Sequence, residues 1–253
     1  MFEKKALVAA AILGFLVAVG LAVSGYFVSN TLFKARFASN TVTVKGFAER
    51  DVKSDLALWQ IGYSLTGDNV AGLYSQSNGD EKAVVAFLLQ NGIKKSDIRP
   101  GDLTLTDHLA NQFGPVKVAE GQRYTLANTI TVRTKDVAVV DATTHALGDL
   151  IKQGIVVTTN TVDFQFTRLN DIKAPMLREA TQNARDAAQQ FANDSGVRVG
   201  AIQSATQEPF SIQSRDSAAA LNPDTSTVDY SPQTSTIDKK ARVVVTLTYY
   251  LDR

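Results

Sequence analysis

A run of 23 residues without a charge, Ala6 to Val28 (ALVAAAILGFLVAVGLAVSGYFV), constrains this chain more than any other feature. As an α-helix it would be roughly 34 Å long, enough to cross the hydrocarbon core of a bilayer. No face of it is polar, which sets it apart from an amphipathic helix packed on a globular core. Lys4 and Lys5 precede it, and Lys34 and Arg36 follow. A short basic N-terminus before the first apolar helix usually stays cytoplasmic. These observations predict a cytoplasmic stub at 1–5, a single membrane span at 6–28, a spacer at 29–40 and a domain outside the cytoplasm. A cleaved signal peptide is the competing reading, with Ala22-Val23-Ser24 before Gly25 as its cleavage site. The apolar run is longer than the usual 7–15 residues of a signal sequence, which favours an uncleaved anchor. No clean GxxxG pattern marks the span for helix dimerisation.

The whole charge excess sits beside this segment. The chain has 26 basic and 25 acidic residues, a formal net charge of +1. Glu3, Lys4 and Lys5 account for that excess, and the chain beyond residue 30 is balanced. Near-neutrality argues against a nucleic-acid partner. Cysteine is absent, so disulfides, a thiol nucleophile and thiolate metal sites are excluded. His108 and His145 are the only histidines, too few for a multi-imidazole zinc site within one chain.

Beyond the spacer, hydrophobic periodicity predicts strands and helices in turn. Thr41–Phe47 alternates as a strand, and Gly46 with Glu49-Arg50-Asp51 suggests a bend or bulge followed by a turn. Asp55–Thr66 alternates again, so the two segments read as a hairpin. A helix is expected over Val70–Gln90, stopped by Asn91-Gly92. Strands are expected over Ile98–Thr106, Arg123–Arg133 and Thr158–Arg168. Asp136 would cap a helix running to about Lys152. A further helix is expected over about Ala174–Ser195, with Pro175 in its first turn and Gly196 past its end. Val197–Gln207 and Arg242–Leu251 complete the strands. The order indicates α+β, with antiparallel sheets and helices packed on them. Glu208–Lys240, rich in Ser, Thr, Asp, Ala and Pro, is long for a connection. It reads either as a disordered insertion or as an arm that orders against a partner subunit.

Several of these segments resemble one family. The run Thr41-Val-Thr-Val-Lys-Gly-Phe-Ala-Glu49, with Val52 and Asp55, is similar to the opening of SIMPL-domain proteins. FQFTRLNDIKAPML, EATQNARDAAQQFANDSG and FSIQSRD, between Phe164 and Asp216, resemble its bacterial, membrane-anchored branch, as does the closing RVVVTLTYYL. The resemblance covers nearly all of 41–253. It implies a SIMPL-like fold in which Val44, Gly46, Glu49, Asp55, Asn170, Ala184, Arg185, Ala188, Gly196, Arg215 and Asp216 are structural motif residues. It also implies a cell-envelope protein on the periplasmic side of a bacterial inner membrane. Some relatives form large ring- or cage-like homo-oligomers and some are associated with oxidative stress. No enzymatic activity is established for the family as a whole. The stretch after Asp216 departs from the shorter connection expected.

The residues offer little chemistry of their own. GxSxG, HExxH, Walker A and GxGxxG are absent. Asp107-His108 are neighbours expected on opposite faces of a strand. Glu49, Arg50, Asp51 and Asp55 would suit a cation only loosely, since EF-hand spacing is missing. A local role for Glu49 and Asp55, fixing the bulge and hairpin turn, fits better. Arg215-Asp216 reads as an ion pair, and Arg185, Asp186 and Asp194 as solvated helix charge. The expectation is a non-enzymatic, self-assembling protein without cofactor or metal, partnered by the bilayer through 6–28. The alternative is an envelope protein binding a lipid or small molecule, for which Trp59, Tyr63 and Tyr124 would either line a pocket or fill the core.

Overall fold

The computed structural model describes residues 14–15, 17–26, 28–29, 40–110, 119–215 and 235–252. Within the N-terminal apolar run the described residues are helical, and their side chains are exposed. Among the described residues no helix is long and apolar enough to cross a membrane. The remainder of the expected 6–28 span, and most of the spacer, lie outside them.

Eight strands and four helices follow: β1 Thr41–Lys53, β2 Leu56–Gly67, α1 Val70–Gln90, β3 Ile98–Asp107, β4 Tyr124–Thr134, α2 Val137–His145, α3 Gly148–Lys152, β5 Val157–Gln165, α4 Leu169–Asp194, β6 Arg198–Gln207, β7 Ser211–Ser214 and β8 Asp238–Asp252. They form two four-stranded sheets, one ordered β1-β8-β6 with β7 also on β8, the other β3-β4-β2-β5. Every pairing with a resolved register is antiparallel. The expected α+β class is therefore correct.

The chain divides into two compact units, one comprising residues up to Ala48 with Leu177–Pro209 and Val243–Arg253, the other Glu49–Met176 with Phe210–Arg242. In the second unit α1 and α2 pack with the β3-β4-β2-β5 sheet, and α3 packs with α1. Trp59, Ile61, Val84, Leu88, Ile130, Val132, Val140 and Leu150 are fully buried there. Helix α1 covers the predicted span. Asn69 caps it by accepting from the Gly72 N–H at 3.2 Å, and Gly92 ends it in the left-handed region at φ 91°. In the first unit, strands bury Val42, Val243, Val245, Leu247 and Tyr249. Helix α4 buries Ala180, Ala184, Ala188 and Ala192, spaced four apart along one stripe.

Four expectations are corrected. β1 and β2 are not a hairpin but belong to different sheets. β1 runs straight through Gly46 and Glu49 to Lys53. The chain then changes sheet at Ser54-Asp55, where Ser54 N–H donates to Ile237 O and Asp55 N–H to Gln165 O, both at 2.9 Å. The helix expected over 136–152 breaks at Ala146-Leu147 into α2 and α3. Thr143 and Thr144 bond their hydroxyls back to Val139 O and Asp141 O, and Gly148 follows, a combination that bends and weakens a helix. Helix α4 begins at Leu169, so Pro175 lies inside it rather than in its first turn. Phe191 near the end of that helix is exposed. The 208–240 stretch carries strand at both ends, because Ser211–Ser214 pairs with Lys239–Arg242. Its middle, 216–234, lies outside the described residues.

Candidate functional site

The motif residues of the first unit build a close strand–helix contact. Gly46 on β1 is buried against α4. A Cβ at that position would stand 2.7 Å from the Ala184 Cβ, and nearer still to the Ala180 carbonyl oxygen and the Ala184 backbone nitrogen. Glycine is thus required by proximity, not by a bend. Asn183 Nδ2 donates to Phe47 O at 3.0 Å and secures the same contact. Ala188 continues the buried stripe, and Val44 is half-buried on β1. Gly196 ends α4 at φ 69°, with Val197 N–H returning to Ala192 O at 2.9 Å. Arg185 is exposed, as expected of solvated helix charge.

In the second unit the motif charges are each matched. Glu49 accepts from Arg242 Nη1 at 3.2 Å and lies 3.6 Å from Lys240 Nζ. Its role is to tie β1 to β8, not to set a hairpin bulge. Asp55 accepts from Thr167 N–H at 2.7 Å and Thr167 Oγ1 at 3.0 Å, and pairs with Arg168 at 3.2 Å. It therefore fastens the chain entering α4, where Asn170 is exposed in the first turn. These partners replace the loose cation-binding turn considered from the sequence. Arg215 meets Asp238 at 3.4 Å. Asp216 lies outside the described residues. His108 Nε2 is 2.9 Å from Thr125 Oγ1, and His145 is exposed. Asp107 accepts from Leu109 N–H and Arg123, which hold its carboxyl below the usual range.

Two buried polar groups were not anticipated. Asn128 occupies an inward position of β4 between Leu126 and Ile130. Its Nδ2 donates to the Tyr63 hydroxyl at 2.8 Å and to Glu81 Oε2 at 3.2 Å, while Tyr63 OH donates to Ser77 O at 3.1 Å. Burial raises the Tyr63 phenol above its ordinary pKa, opposed by those hydrogen bonds. Tyr63 and Trp59 are thus core residues, not pocket lining. Lys239 is only 3% exposed on β8, and burial lowers its pKa against the opposing charge of Asp163. Ser54 Oγ, Asn128 Oδ1 and Asp163 Oδ1 are buried and have no hydrogen-bond partner among the described residues. The signal for Asn128 was present as a polar residue inside an apolar alternation. Lys239 would have shown the same had the last strand been started at Asp238.

Chemically these groups register strands and helices on one another: their charges are met by charges of the same unit. The sequence pattern of the SIMPL family, described as "Protein of unknown function (DUF541)", matches residues 42–249. No curated protein matches the chain. The match spans most of the sequence and both compact units, and the chain belongs to the SIMPL family.

Proposed function

We propose that this is a non-enzymatic protein of the cell envelope, anchored through residues 6–28, whose domain works by self-assembly on the periplasmic side. The observation that carries the reading is that, among the described residues, each sheet has edges no other strand covers: β1 and β6, with the short β7, bound one, and β3 and β5 the other. An edge strand offers a row of unpaired N–H and C=O groups to another chain. On β3 two leucines on one face, Leu103 and Leu105, are 43% and 46% exposed, an added apolar incentive. The charge-free run and its preceding lysines support the anchor. The internally neutralised charges support a role without catalysis. A cage or ring and a link to oxidative stress belong to the same reading. Imaging the full-length protein in a lipid nanodisc tests it. Closed homo-oligomers standing on the membrane are expected, and isolated single copies would overturn it.

A further inference from the structure

We infer that β5 is the strand through which two copies of this chain pair, edge to edge about a two-fold axis, an inference that rests on the self-assembly reading above. The edge strands differ in how they resist such pairing, and β7, at four residues, is too short to offer much of an edge. β1 carries Lys45, Glu49, Arg50, Asp51 and Lys53. β3 holds Pro100, which has no N–H to donate, at a break in register between Arg99 and Asp102. β6 has two breaks in register between Val199 and Ser204. Charges, proline and bulges are the devices by which natural edges avoid other chains.

β5 is less defended: Asp163 is its one charge, and the run Ile155–Val162, which leads into it and covers its first six residues, reads IVVTTNTV, with no charge, proline or glycine and every residue but Asn160 β-branched. That composition favours an extended, pleated strand. Its ladder with β2 has one irregularity, opposite Gly62 and Tyr63, and runs unbroken from Thr159 to Gln165. Asn160 Oδ1 accepts from Trp59 Nε1 at 2.8 Å, which pins the strand to the core of its own sheet. Thr159 lies close on Gly62, where a Cβ would meet the Thr159 Cβ at 2.9 Å. The inner edge is therefore fixed, and among the described residues no strand pairs with the outer one. Thr158, Asn160 and Thr161 are exposed, and Val156 is 58% exposed.

The occupant that fits is a second copy. A two-fold axis makes an antiparallel edge its own complement. Because Ile155–Val162 is uncharged, self-pairing sets no like charges opposite one another there. Two sheets then join into one continuous sheet through β5.

The absence of native cysteine lets single substitutions report cleanly. Val156→Cys, Thr158→Cys, Thr159→Cys and Thr161→Cys are made in the full-length protein in detergent, with Thr43→Cys on β1 and Thr104→Cys on β3 as comparisons. In an antiparallel pair one position faces its twin at about 5 Å. A site two residues away is displaced from its own twin by four residues, roughly 13 Å. Cross-linking by a short bismaleimide should therefore peak within β5 and stay low at Thr43 and Thr104. The double variant T158K/T161K should weaken the pair by about tenfold or more, read as a loss of mass at micromolar concentration, with the far-ultraviolet circular dichroism unchanged. Assembly that persists with no peak along β5, or with T158K/T161K leaving the mass unaltered, overturns the β5 interface while self-assembly stands. A monomeric parent chain overturns both.

Discussion

Substituting alanine for Gly46 adds one methyl group where β1 meets α4. The Ala184 Cβ would be 2.7 Å away, and the other two nearest atoms, the Ala180 carbonyl oxygen and the Ala184 nitrogen, belong to the helix backbone. A flexible side chain would turn aside, but a backbone must move as a body, and the helix and strand are both packed. Overpacking of this kind costs about 3 kcal/mol. For a chain of this size that corresponds to a fall in melting temperature of roughly 6–12 °C. Gly79→Ala is the matched comparison, since Gly79 lies inside α1 with nothing within 4 Å of an added Cβ. It should stabilise by about 0.8 kcal/mol through helix propensity alone. Ala184→Gly combined with Gly46→Ala should recover little, because the backbone atoms remain. Urea titration followed by circular dichroism measures all three. A Gly46→Ala protein within about 0.5 kcal/mol of the parent would refute the argument that proximity to α4 selects glycine.

Other sites give independent tests. Tyr63→Phe removes the acceptor of Asn128 and the donor to Ser77 O. Unfolding monitored by the fluorescence of Trp59, the single tryptophan, should show a loss of about 1–2 kcal/mol. Asp55→Ala frees Thr167 and Arg168, and should cost about 2 kcal/mol and speed amide exchange at Thr167. Lys239 has a lowered pKa in the folded protein, so the unfolded chain binds more protons between that value and the ordinary lysine pKa of about 10.4. The penalty for burying its charge is full below that window and fades as pH rises through it. The parent should therefore gain stability relative to Lys239→Met as pH climbs toward ten, and parallel pH profiles would contradict that assignment.

Much of the architecture was legible because the signals are local. The 3.6-residue period and the Asn91-Gly92 stop fixed α1, and period-two alternation fixed β4 and β8. Partner choice was not legible. Alternation says which face of β1 is buried, but both the hairpin and the observed change of sheet satisfy it. Only the distant Ile237 and Gln165 decide between them. The same holds for the site residues. Gly46 and Glu49 were singled out, yet their partners lie more than a hundred residues away, at Ala184 and Arg242. The break between α2 and α3 depends on threonine side chains bonding back to their own helix, an effect too small to read from pattern alone. Asn128 was the missed clue, since a buried amide amid apolar neighbours demands partners, and Tyr63 and Glu81 supply them.

The proposed activity of this domain is association with copies of itself. Native mass spectrometry of the full-length protein released from detergent measures it directly. A dominant species at an even multiple of the 27.3 kDa chain is expected, as pairing through β5 requires. A dominant species at 27.3 kDa across micromolar concentrations would contradict it.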